Sequence, residues 1–69
     1  MNTKKKRRVP RWVIAWDDVF LTGWDSLGTP WWGDEDESIE YITRAAALLE
    51  SREVAKRAPM TVPTIRRLP

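Results

Sequence analysis

Arg11 to Gly33, RWVIAWDDVFLTGWDSLGTPWWG, gathers all five tryptophans and the only phenylalanine of a 69-residue chain. A chain this short removes only about 60% of its unfolded surface from water. With no cysteine and no histidine it has neither a disulfide nor the usual structural zinc to compensate. Indole rings, each burying roughly 150–250 Å² while freezing two torsions, must supply the packing. The Trp-rich stretch is therefore expected to form the sheet and most of the core.

Within it, Trp12, Ile14 and Trp16 alternate with Val13 and Ala15, and both sets are apolar, which predicts a central strand. Asp17-Asp18 reads as a turn or bulge, because both side chains can bond their own backbone. Val19-Phe20-Leu21 then continues as a second strand. Gly23 to Gly28, with Asp25 and Ser26 between, marks a loop. Thr29 to Trp32 reads as a short strand returning beside the first. Pro30 lacks a donor and confines that segment to an edge or a strand start.

Asp17, Asp18, Phe20, Leu21, Thr22, Gly23 and Trp24 give the stretch WVIAWDDVFLTGWDS a likeness beyond its periodicity. Over residues 12–26 it resembles the opening of a group of small, uncharacterised proteins of bacteria and their phages. In that group an apolar strand meets an Asn/Asp pair, then Phe-Leu/Met-Ser/Thr-Gly-Trp-Gly. Asp25 stands where the group has glycine, and TPWWGDEDE is shorter and more acidic than its second strand. The resemblance implies a ββαβ order and a phage setting, and no activity.

Asp34 to Glu37 has the pattern of a capping box, with Asp34 as N-cap and acids in the first turn. A helix is expected from there, with Ile39, Ile42, Ala46 and Leu49 as its core stripe and Ala45 beside it. Glu40 and Arg44 form an i,i+4 pair on the opposite side. The helix ends near Ser51 or runs on to Ala58, since Pro59 sets the outer limit. If it ends early, EVAKR or PMTV supplies a third strand, the favoured reading. Residues 63–69 are then an extended basic tail. The fold class expected is α+β: a small antiparallel sheet, a hairpin with a third strand in question, on one helix over residues 11–62.

Net charge is only +2 but segregated. Residues 1–12 carry six Lys/Arg and no acid, residues 13–43 eight Asp/Glu and no base, and residues 44–69 six Lys/Arg against Glu50 and Glu53. The leader 1–10 is expected to be disordered by self-repulsion. It reads as a solubilising tail, or as a phosphate-seeking arm or nuclear-import signal built on Lys4, Lys5, Lys6, Arg7 and Arg8.

Lacking imidazole and thiol, the chain has no usual base, thiolate nucleophile or zinc ligand set. Asp17 and Asp18 are adjacent and would point apart in a strand, and DEDE lacks the spacing of a calcium loop. No glycine-rich phosphate loop is present. The expectation is a non-enzyme with no cofactor and no metal. No apolar run reaches membrane-span length and no signal-peptide core follows the basic opening, so the reading is a soluble intracellular protein, which the phage setting implied by the resemblance places in the cytoplasm of a host cell.

Two binding modes remain. In the first, Trp24 and Trp31 with Asp25, Asp34 and Glu35 contact a host protein, because a core this small should struggle to bury five indoles. Against this stands a purely structural role: Trp12, Trp16 and Trp32 in the core, Trp24 and Trp31 covering loops. In the second, Lys4 to Arg8 and Arg11 neutralise nucleic-acid phosphates, which the eight central acids oppose. The oligomeric state is open.

Overall fold

The structure is a computed structural model that describes residues 9–69. Strand β1 (Arg11–Trp16) turns through Asp17-Asp18 into β2 (Val19–Trp24), which turns again into β3 (Pro30–Gly33). A 3₁₀ turn, η1 (Glu35–Glu37), an extended segment and helix α1 (Arg44–Arg57) follow, and β4 (Thr64–Leu68) completes an antiparallel sheet of order β3-β2-β1-β4. The α+β class expected from the sequence is therefore present, with β1 interior and Pro30 opening an edge strand. That strand lies beside β2 rather than beside β1.

β1 and β2 pair directly only near their turn, at Ala15–Phe20 and Trp16–Val19. Beyond it they splay, and Ile39 to Tyr41 fills the opening. The Trp12 and Tyr41 backbones exchange hydrogen bonds of 2.9 and 2.8 Å, and the Ile39 N–H donates to the Leu21 carbonyl at 2.9 Å. To reach that seam from β3 the chain must cross β2. Glu37 sits beside Thr22 and Gly33 on the face away from the helix, so the crossing runs over that face.

This route overturns the expected capping box. Asp34 makes no side-chain cap bond, and DEDE winds into η1 instead. The helix begins nine residues later, its cap at Thr43 in place of Asp34, where the Thr43 hydroxyl accepts from the Ala46 N–H at 3.1 Å. Ile39 is spent in the seam, Ile42 and Leu49 are exposed, and Ala46 faces water. Ala47, Ser51 and Val54 face the sheet in their place. Small residues there suit a sheet already carrying Trp12, Trp24 and Trp32, since close packing needs slim partners opposite bulky ones. Glu40 pairs with Arg11 and not with Arg44.

The helix runs on to Arg57, its C-cap Ala58 donating to the Val54 carbonyl, so EVAKR is helical. PMTV is irregular as well. The last strand is TIRRL, inside the segment read as a tail. Pro63 and Pro69 bracket it rather than break it.

The core has two sides. Ile14, Leu21, Ala47 and Val54 form the helix side, with Trp12, Trp24, Trp32, Ile39, Tyr41 and Ile65 packed around them. Val13, Ala15, Phe20 and Leu68 form the other.

Candidate interaction surface

The placement of the tryptophans turns on an irregularity in β2. Simple alternation would put Phe20, Thr22 and Trp24 on one face. The β2–β3 register instead shifts between Leu21 and Gly23, pairing Gly23 with Trp31 and Trp24 with Pro30. Such a bulge reverses the side-chain direction downstream. Trp24 is thereby turned to the helix side, half-buried against the core. Trp31 stays on the face away from the helix, 58% exposed. The two tryptophans expected to act together lie on opposite faces.

The other indoles are partly buried, Trp16 and Trp32 packing together with ring centroids 5.4 Å apart. Trp31 is fixed through its backbone, its carbonyl accepting from the Thr22 hydroxyl at 3.3 Å. Gly23 opposite leaves open space above the sheet beside it.

Asp25 is occupied by the loop it sits in. Its Oδ1 accepts from the Leu27 and Thr29 N–H groups, both at 2.9 Å, while Gly28 closes the turn at φ 84°. Asp34 and Glu35 are exposed just after β3, at the start of η1, so the end of the sheet near Trp31 is acidic.

Arg11 does not stand ready for phosphate. Its Nη2 lies 2.6 Å from Glu40 Oε2, and that hydrogen bond holds the Glu40 carboxyl below the usual glutamate range and raises the Arg11 guanidinium. Lys4, Lys5, Lys6, Arg7 and Arg8 lie outside the described residues.

Arg66 and Arg67, expected only to make a C-terminal tail basic, have a structural context. Arg66 lies over Phe20 on one face of the sheet and Arg67 over Trp12 on the other, 5.6 and 5.9 Å from the ring centroids. Among the described residues neither has a carboxylate within 4.0 Å. The sheet is therefore electrically polarised across its strands, acidic near β3 and basic along β4. The signal is the doublet itself, which has meaning only once TIRRL is a strand that sends its neighbours to opposite faces.

A hollow of about 880 Å³ lies between the two ends of the described chain, lined by Val9, Pro10, Arg11, Tyr41 and Leu68 among others. A smaller one of about 260 Å³ opens beside Trp24. Among the described residues no three His, Cys, Asp or Glu side chains are placed to hold a metal ion, and no helix is long and apolar enough to cross a membrane. No family model matches this chain, and neither the curated proteins nor the solved structures yield a match.

Proposed function

We propose that this chain is a non-catalytic binding module that grips a protein partner with Trp31 and selects it with the acidic shoulder of Asp34 and Glu35. The observation that carries the reading is the 58% exposure of Trp31 in a small chain whose other four indoles are tucked against the fold. An exposed indole is costly to hydrate and typical of interface anchors, which account for most of the energy of a contact. A backbone-fixed position in a sheet also lowers the entropy lost on docking.

The resemblance of residues 12–26 adds a setting to this reading: a phage-encoded protein acting on a host protein in the host cytoplasm. The binding of nucleic acid by Arg11 is the weaker reading, because its charge is already matched by Glu40.

The test is affinity capture with the full chain from bacterial lysate, with and without nuclease, followed by affinity measurement on the purified partner. Trp31→Ala should leave the urea midpoint in place and weaken binding by about 2 kcal/mol or more. Asp34→Asn with Glu35→Gln should slow association and flatten its salt dependence. Binding that survives Trp31→Ala unchanged, or that disappears with nuclease, overturns the proposal.

A further inference from the structure

Strand β4 ends the sheet, and its outer edge follows from the ladder. The Trp12 N–H and carbonyl both point to Tyr41, away from β4. Alternation in an antiparallel pair then makes Arg11, Val13 and Ala15 the residues bonded to Leu68, Arg66 and Thr64. The N–H and carbonyl groups of Ile65 and Arg67 consequently point outward, and among the described residues no strand covers them.

From this edge the geometry points to a second interaction surface: β4 accepts an added strand from an extended acidic peptide. Strand addition draws its affinity from main-chain bonds and its selectivity from side chains alternating across both faces. Arg66 and Arg67 leave β4 on opposite faces and lie back over rings of β2 and β1, Arg66 also donating to the Asp17 carbonyl at 3.5 Å, and neither is matched by a carboxylate among the described residues. A strand with adjacent glutamates would set one on each face, where the exposed arginines, turning outward from their rings, meet them.

Pairing with a second copy is disfavoured by the same residues. The antiparallel register that matches all five residues of β4 with their own copies puts Arg66 opposite Arg66, and like charges directly opposite are destabilising. This surface lies at the far edge of the sheet from Trp31 and stands independently of the role proposed there.

The test uses the full ¹⁵N-labelled chain and a capped synthetic peptide of valine and threonine with two adjacent glutamates at its centre, beside its lysine counterpart. The glutamate peptide should slow amide exchange at Ile65 and Arg67 and shift resonances along β4, and the lysine peptide should do neither. Arg66→Glu with Arg67→Glu should weaken the effect about tenfold, from two charge pairs reversed across one strand. Arg66→Gln with Arg67→Gln supplies a neutral variant with a smaller loss if charge reversal loosens the sheet. Equal response to both peptides, or none, overturns the proposal. So does protection of the two amides that grows with protein concentration alone, which would assign the edge to a second copy.

Discussion

Arg66 of β4 reaches across β1 to lie over the ring of Phe20 on β2, its guanidinium carbon 5.6 Å from the ring centroid. The two residues contribute very unequally. Phe20 is 8% exposed and fills the side of the core away from the helix, whereas Arg66 is exposed. Phe20→Ala should cost about 3–5 kcal/mol, enough to unfold a domain this small. Arg66→Ala should cost about 0.5–1 kcal/mol. Urea midpoints at constant slope measure both, and a similar loss from each would mean that the ring is held mainly by the cation.

The start of the helix makes a sharper comparison. Thr43 caps α1 through its hydroxyl, whereas Asp34, with the better sequence pattern, makes no side-chain cap bond. Thr43→Ala should therefore destabilise by about 1 kcal/mol, and Asp34→Ala should fall within about 0.5 kcal/mol of neutral. Thermal unfolding of the pair checks the order.

Asp17 is the only non-glycine described residue with positive φ, at 60°, and it occupies the first position of the two-residue turn between β1 and β2. Positive φ at the first position of a two-residue hairpin turn favours glycine and costs an L-residue about 1–2 kcal/mol, less for aspartate than for a β-branched residue. Asp17→Gly should raise the melting temperature by a few degrees, and Asp17→Val should lower it by more.

Tyr41 is the only tyrosine, so phenolate absorbance reports it alone. Burial, with a contribution from Glu50, pushes its pKa up to about 12. The folded value lies above the unfolded one, so the neutral phenol is the form that the fold prefers. Stability should hold up to about pH 10 and fall as pH rises toward about 12. Tyr41→Phe should remove that part of the alkaline loss, and a titration midpoint near the ordinary value would show the ring to be wet.

The first strand, the Asp17-Asp18 turn and the edge position of Pro30 were legible because each depends on local alternation or on a single residue's backbone limits. The helix start was not. DEDE satisfies a local capping pattern, but Ile39 bonds to Leu21 and Tyr41 to Trp12, partners that no window of sequence brings together. The alternation of Ile39, Glu40 and Tyr41, followed by Thr43 before an alanine run, was the available clue. In the candidate surface Trp31 is exposed, and its separation from Trp24 required the register shift beside Gly23. A bulge is a property of paired strands, so one strand read alone does not reveal it.

The Ile39–Tyr41 insert also makes the two halves of the sheet depend on each other. Without it the Trp12 N–H and carbonyl and the Leu21 carbonyl would have only water to bond, and the first hairpin would be joined only beside its turn. Such a hairpin gains little by itself. The wedge ties the two halves of the molecule into one cooperative unit, so opening along that seam would free both halves together.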